Sequence, residues 1–339
     1  MTLNRDAVIA RAREVGFDLC GIAPAERSPK LARLAEWIEN GQAGEMTYLA
    51  RSAAERLDPA RVLPGVRSIV SLAVIYNTHA PPATVVSRYA WGRDYHDVLR
   101  ERLTELLAWM ADSAGPGFEA FSCVDAGPVQ ERVFAEQAGL GWIGKNTCLI
   151  NPRLGSWLFL GEILTNAVLD HDTVVPDQCG TCTRCLEACP TGAIVEPYRV
   201  DARRCLSYLT IETRGTLPDE WRGALGDRIY GCDICQDVCP WNRRAPASGD
   251  PAWQPREELR SARLIDLCRL SDEAWRNVLR DSPMRRAGLR RLRRSLAYAA
   301  GAMAEPDRGQ ALEALEAQPS AAFPEVADAI AWARGRSTE

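Results

Sequence analysis

Eight cysteines between residues 179 and 240 constrain this chain more than any other feature. The first block reads Cys179-Gly180-Thr181-Cys182-Thr183-Arg184-Cys185-Leu186-Glu187-Ala188-Cys189-Pro190. The second reads Cys232-Asp233-Ile234-Cys235-Gln236-Asp237-Val238-Cys239-Pro240, and Cys205 stands between them. The first block has the C-x2-C-x2-C-x3-C-P spacing of bacterial iron–sulfur ligand runs. Three thiolates at that interval hold three corners of one cubane. The fourth, turned away by the proline, reaches a different cluster. The spacing therefore predicts two 4Fe–4S clusters with crossed ligation. Cys179, Cys182, Cys185 and Cys239 hold one; Cys189, Cys205, Cys232 and Cys235 hold the other. Zinc is the weaker reading, because four-cysteine zinc sites use two separated C-x2-C pairs. A disulfide scaffold belongs to short secreted chains. Two clusters make a relay for single electrons, and the rest of the chain decides what the relay feeds.

The chain has 339 residues and a net charge of −4, which allows two domains or a little more. Its apolar share of 46% suits a globular core. No run of eighteen apolar residues is present, so no membrane span is expected. The start, Met1-Thr2-Leu3-Asn4-Arg5-Asp6, has no apolar stretch of the signal-peptide kind. Thiolates and clusters both suit a reducing cytoplasm. The slight acidity does not by itself advertise a nucleic-acid partner, although a local patch can differ from the total.

Helix and strand patterns alternate up to about residue 168. Helices are expected over 5–16, 28–41, 94–111 and 128–138, with Asn4 and Ser28 as N-caps and Gly16 and Gly41 as stops. Strands are expected over 17–23, 67–76, 118–124, 147–150 and 156–164, the last two joined by the turn Asn151-Pro152-Arg153-Leu154-Gly155. Residues 139–144 form a glycine-rich loop. Residues 170–178 are a polar link to the cysteine region, which needs little core of its own because metal centres hold it. Residues 243–258 read as an extended connection, and helices resume from Ser271. The last helices resemble paired helical-repeat units, of which fewer than three fit.

Several strings now agree with one family: Trp91-Gly92-Arg93-Asp94-Tyr95-His96, Val124-Asp125-Ala126-Gly127-Pro128-Val129 with Glu131-Arg132, and Ala138-Gly139-Leu140-Gly141-Trp142-Ile143-Gly144-Lys145-Asn146. The double cysteine block and Ser282-Pro283-Met284-Arg285-Arg286-Ala287-Gly288-Leu289-Arg290 complete the set. Together they resemble the epoxyqueuosine reductases over about residues 5–300. The resemblance implies an α+β protein in three parts. These are a nitroreductase-like cobalamin-binding domain over 1–168, a ferredoxin-like domain with two 4Fe–4S clusters over 169–245, and a short HEAT-like helical region over 246–339 that can contact tRNA. It also implies a reaction. An epoxide on the modified base at the wobble position of a tRNA anticodon loop is reduced to an alkene, with two electrons and two protons consumed. An external low-potential electron donor, a cytoplasmic setting and a monomer go with it.

No side chain supplies electrons at the potential that reductive epoxide opening needs, so a cofactor carries that step. The cobalamin ligand motif D-x-H-x-x-G fails here: Asp94-Tyr95-His96 begins it, but Leu99 stands where glycine is required. The cobalamin is therefore expected base-off and without a histidine ligand, and His96 braces the pocket. Asp125 is the expected general acid: it follows a buried strand, and enclosure by a corrin face would help it keep its proton. The competing role for Asp125 is a turn or helix N-cap. The resemblance implies further cofactor contacts at Arg56, Ser87, Asp125, Ile150, Gly161 and Ser207. Arginine at position 56 is otherwise an ordinary surface residue. Ser87 replaces a cysteine found in some relatives, which argues against direct cobalt chemistry there. Lys145 is open between a corrin amide, a phosphate and solvent.

Arg285, Arg286, Arg290 and Arg293, with Arg291 and Arg294, offer a phosphate track and are the expected tRNA contacts. The alternative is a solvated helix face whose arginine stems cover apolar neighbours. Arg243 and Arg244 extend the track, and Trp241 either stacks on a base or packs. Cys20, Cys123, Cys148 and Cys268 fall outside the cluster pattern and read as small buried residues. Two other functions stay open: a corrinoid enzyme of reductive-dehalogenase type acting on a small molecule, and a ferredoxin-type electron carrier.

Overall fold

The computed structural model describes residues 3–78, 85–260 and 263–336. Six strands build its N-terminal part: β1 (Leu19–Pro24), β2 (Ser68–Ile75), β3 (Ala120–Cys123), β4 (Trp142–Ile143), β5 (Leu149–Ile150) and β6 (Leu158–Thr165). Four of them form one antiparallel sheet in the order β1-β2-β6-β3. β2 is buried at all eight positions because both of its faces are covered. Val70, Leu72 and Val74 meet the helices Arg5–Glu14 and Tyr95–Ala114. Ile69 and Ala73 meet Val133 and Phe134 of the helix Glu131–Gln137. An unbroken apolar run is what two-sided burial selects.

The expected starts at Asn4 and Ser28 are present and the long helix opens at Asp94, whereas the helix expected from 128 begins at Glu131. The Asn4 side chain accepts from the Ala7 amide at 3.0 Å, Ser28 from Lys30 at 3.3 Å, and Asp94 from His96 at 3.1 Å. Such caps satisfy amides that the first turn leaves open. Strand pairing differs from expectation at one place. β5 does not pair with β6 across the 151–155 turn; it pairs with β4 from the glycine-rich loop. The turn closes on itself through Asn151 and Gly155. β6 then leaves to join the main sheet beside β2, where its buried residues Phe159, Ile163 and Leu164 find apolar partners on both faces.

The cysteine region carries only short helices, Arg184–Glu187, Leu206–Ile211 and Ile234–Asp237. Its polar leader is pinned to β1: the Asp172 carboxylate accepts from the Ile22 amide at 2.8 Å and from Arg5. Leu206, Leu209 and Ile211 share one core with Val86, Trp91, Trp275 and Leu296. The C-terminal helices Asp272–Arg280, Gly288–Ala300, Asp307–Glu316 and Pro324–Arg334 thus form the floor under the cysteines. Among the described residues no helix is long and apolar enough to cross a membrane.

The arginine-rich helix corrects one expectation. Arg293 is fully buried, donating to Asp272 at 2.9 Å and to the Leu270 carbonyl at 2.6 Å. Arg294 is also fully buried and donates to the carbonyls of Leu209, Thr213 and Gly215. Both turn inward because the helix faces the cysteine region on one side and its helical neighbours on the other. Neither can meet a phosphate. Their role is to satisfy carbonyls at chain ends that the fold buries. Arg293→Ala should therefore lower unfolding stability by about 3–5 kcal/mol, by leaving Asp272 buried without its cation. Denaturant titration checks this, and the salt dependence of RNA binding should stay unchanged.

Candidate active site

A cavity of ≈ 420 Å³ lies between the sheet domain and the cysteine region. One wall is aromatic and apolar, with Tyr76, Tyr95, Leu158 and Phe159. The opposite wall carries Cys189, Cys205, Cys232 and Cys235. Asp125, Glu131, Arg132 and Thr147 also border a second recess of ≈ 550 Å³, which holds Lys30, Arg33, Tyr48 and Arg56. The two recesses meet at these four residues, so one large ligand can span both.

The junction between the walls is built by the chain around Asp233, between two cysteines of the second block. Its carboxylate accepts from the Ser87 hydroxyl and, at 2.7 Å, from the Arg88 amide. Val86 bridges Tyr230 in parallel, and Gly231 follows at φ 70°. A Cβ on Gly231 would fall 2.4 Å from the Ser87 Cβ, so this crossing requires glycine.

At the meeting point of the recesses sits a proton-bearing group. Asp125 Oδ2 lies 3.1 Å from His96 Nε2 and accepts from the Tyr95 hydroxyl at 3.0 Å. His96 Nδ1 lies 2.7 Å from Asp94 Oδ1. Tyr95 is fixed by stacking on Phe159, with ring centroids 4.3 Å apart. Burial works against the charge on His96, but its hydrogen bonds to Asp125 and Asp94 outweigh this and push it up to about 9. Burial raises Asp125, yet the His96 bond and charge hold it below the usual carboxylate range. Burial, then the Asp125 charge, push Glu131 up to about 8. The sequence led to a protonated Asp125. In the structure the hydrogen bonds of His96 favour its protonated form, and burial favours a neutral carboxyl at Glu131.

The eight thiols fall into two groups. Cys185 is pushed up to about 11 by burial, with Cys179, Cys239 and Cys182 as electrostatic neighbours. Cys205 neighbours Cys189, and Cys235 neighbours Cys205 and Cys232. Four crowded thiols cannot all ionise without positive charge among them, which is what cluster iron supplies. Beside the first group, the buried Trp142 Nε1 has the Cys179 sulfur as its nearest acceptor, so the thiols meet a donor suited to a thiolate or cluster sulfur. Both observations fit the donor set to iron–sulfur ligation.

Other predicted residues divide. Ser87 and Ser207 line the cavity. Arg56 lines the second recess, held by Ser52 Oγ at 3.0 Å and the Val129 carbonyl at 2.9 Å. Ile150 and Gly161 do not line either recess. Ile150 packs with Trp142 and Cys239 at the first thiol group, and the Gly161 Cα faces Leu103 of the Tyr95–Ala114 helix. Leu158, Phe159 and Leu160 line the cavity just before Gly161. Lys145 Nζ donates to the carbonyls of Gly180 and Cys182 at 2.6 and 3.0 Å. Trp241 packs edge-on against Trp142. Arg285 is exposed, Arg286 pairs with Glu212 at 2.5 Å over the Tyr48 ring, and Arg290 pairs with Glu325 at 2.8 Å. Sequence reasoning missed Tyr95, Glu131 and Cys148. Cys148 is no inert core residue: it lines the cavity beside Cys235. The adjacency Tyr95-His96 was a usable signal, whereas nothing local marks Cys148.

Comparison with known proteins agrees with this geometry. A family model described as a 4Fe-4S double cluster binding domain matches residues 178–242. The fold and site thus define an iron–sulfur protein with a ligand cavity beside its clusters. A second model, described as epoxyqueuosine reductase QueG, matches residues 56–126. The chain is 44% identical over 338 residues to an epoxyqueuosine reductase of Pseudomonas aeruginosa, covering 96% of this chain and 92% of that one. It is 40% identical over 336 residues to the one of Escherichia coli, covering 96% and 87%. The chain belongs to the epoxyqueuosine reductase family. An epoxyqueuosine reductase solved with an epoxyqueuosine-modified tRNA stem loop superposes with TM-score 0.81 at 30% identity, covering 98% of this chain and 94% of that one. The Streptococcus thermophilus structure gives 0.87 at 28% identity, covering 98% and 91%. A Bacillus subtilis structure with its catalytic aspartate loop swung out of the active site gives 0.81 at 30% identity, covering 98% and 94%.

Because His96 is raised from 6.5 to about 9, its pairing stabilises the fold fully below pH 6.5, and this is lost as pH rises through 9. The expected outcome is an imidazole still protonated at neutral pH. Only three histidines are present, so proton NMR resolves it. Asp125→Asn should move that titration down toward 6.5.

Proposed function

We propose that this chain reduces epoxyqueuosine to queuosine at the wobble position of tRNA, the last step of queuosine synthesis. The observation that carries it is the Asp125–His96–Tyr95 proton group facing the second thiol group across one cavity, in a chain of this family. Residues 1–168 would form the nitroreductase-like catalytic part, 169–245 the ferredoxin-like part, and 246–339 a HEAT-like helical support. A cytoplasmic monomer and an external low-potential electron donor complete the proposal.

The recesses suit a base-off cobalamin. A flat macrocycle fits the aromatic wall, and the joined recess with Arg56 takes its polar periphery. Among the described residues no histidine lines either recess, and both ring nitrogens of His96 are engaged. Cys179, Cys182, Cys185 and Cys239 would hold one cluster, and Cys189, Cys205, Cys232 and Cys235 the other. When bound, cobalamin and the clusters supply low-potential electrons, which the clusters accept singly.

The chain's own residues handle the proton. Tyr95 and His96 both hold Asp125 Oδ2, so that oxygen has a fixed position. Filling the cavity removes water from Asp125, which favours the uncharged carboxyl. The proton then shifts from His96 Nε2 to Asp125, the group placed to donate to a departing epoxide oxygen. Asp94 keeps the imidazole oriented throughout. At the rim, Arg286 is close enough to influence the Asp125 charge. With Arg285 and Arg290 it offers cations to RNA phosphates, and Arg243 and Arg244 are also exposed.

Expressed in a strain lacking its own reductase, the chain should clear epoxyqueuosine from tRNA, read by nucleoside mass analysis as the loss of one oxygen. Unchanged nucleosides would refute the proposal. Purified anaerobically with cobalamin, it should carry about eight iron atoms. Asp125→Asn should retain that iron yet lose turnover about 100-fold or more. Charge reversal at Arg285 and Arg286 should weaken tRNA binding and flatten its log–log salt dependence by about one unit for each phosphate no longer neutralised.

A further inference from the structure

The Asp125 loop has a second anchor, on its backbone. The Ala126 amide donates to the Val124 carbonyl at 2.6 Å, closing a three-residue turn with Asp125 at its centre. Asp125 there has φ 54°, a left-handed conformation that a residue with a Cβ adopts only under constraint. The turn is folded back hard on β3: a Cβ on Gly127 would fall 2.3 Å from the Cys123 Cβ. A strained turn persists only where its surroundings over-determine it.

His96 and Tyr95 hold the tip of the Asp125 side chain from one wall. From the other side, the Asp125 amide donates to Glu131 Oε1 at 2.5 Å. Glu131 is the first residue of the Glu131–Gln137 helix, and the Gln130 side chain makes no capping bond there. An acid at this position commonly serves its own helix terminus; this one reaches back six residues to the turn. Charged neighbours on every side are Asp125, Arg132 and Arg56, with Cys123 and Glu162 close by. Glu131, pushed up to about 8, is a neutral carboxyl near neutral pH, and its accepting oxygen remains available.

We propose that Glu131 is a positioning residue whose side-chain oxygen latches the Asp125 amide, holding the strained turn so that the Asp125 carboxyl stays in the cavity. Without the latch the turn relaxes and the side chain leaves its partners. The catalytic part of this inference rests on the function proposed above; the latch itself does not.

The test uses anaerobic holoenzyme and three forms: wild type, Glu131→Ala and Glu131→Gln. Glutamine keeps an acceptor oxygen and removes the ionisable group. Hydrogen exchange without substrate should show faster exchange at residues 124–128 in Glu131→Ala, with the Glu131–Gln137 helix still protected, and near-wild-type exchange in Glu131→Gln. With modified tRNA, Glu131→Ala should lose about 10- to 100-fold in kcat with KM within about two-fold. Glu131→Gln should recover most of that loss. Equal impairment of both variants would show that a proton or charge matters rather than the acceptor. Wild-type exchange in Glu131→Ala, or loss of protection along the whole helix, would also overturn the latch. The exchange pattern stands or falls without substrate, so it is separable from failure of the nucleoside assay.

Discussion

The Asp233 carboxylate fastens the two halves of this molecule where its chemistry is concentrated. It lies between two cysteines of the second block and takes hydrogen bonds from Ser87 and Arg88, which follow the sheet domain's second strand. Arg88 in turn covers the Trp157 ring at 4.1 Å and donates to Asn77 at 2.6 Å. Gly231 permits the close crossing beside it. The thiol wall and the aromatic wall keep a fixed separation because of this tie. A cavity between two parts of a chain is only as well defined as the contact that joins them.

Burial gives residues of one type different tasks. Among the carboxyls, Asp125 keeps its charge because His96 faces it, whereas Glu162, bonded to the Ser71 hydroxyl at 2.7 Å and facing no cation among the described residues, is driven toward its neutral form. Among the arginines of one helix, Arg293 and Arg294 point into the core and serve carbonyls, while Arg290 stays half exposed beside Phe323. Desolvation penalises the charged form, and only a specific partner offsets it. The Asp125–His96–Tyr95 group thus sits at the sheet edge and helix terminus, with the thiols across the cavity from it.

Much of this was legible in the residues themselves. The caps at Asn4 and Ser28 stand where the sequence put them. His96, at the start of the failed D-x-H-x-x-G motif, lies between Asp94 and Asp125. The misreadings share a cause. The 151–155 turn looked like a hairpin, but β5 found its partner in the glycine-rich loop. Lys145 was open between a ligand and solvent, and the first cysteine loop folds over it instead. Each error concerns a partner distant along the chain.

What the sequence alone determined is therefore whatever depends on local spacing: that the cysteine region is a double-cluster domain, where helices begin, and which strand is buried on both faces. Tertiary structure decided where charge can survive. It set His96 against Asp125, buried Arg293, brought Cys148 to the cavity and set Glu131 against the Asp125 amide. Spacing acts through the few bonds between neighbours, whereas the cost of a charge depends on every group the completed fold packs around it.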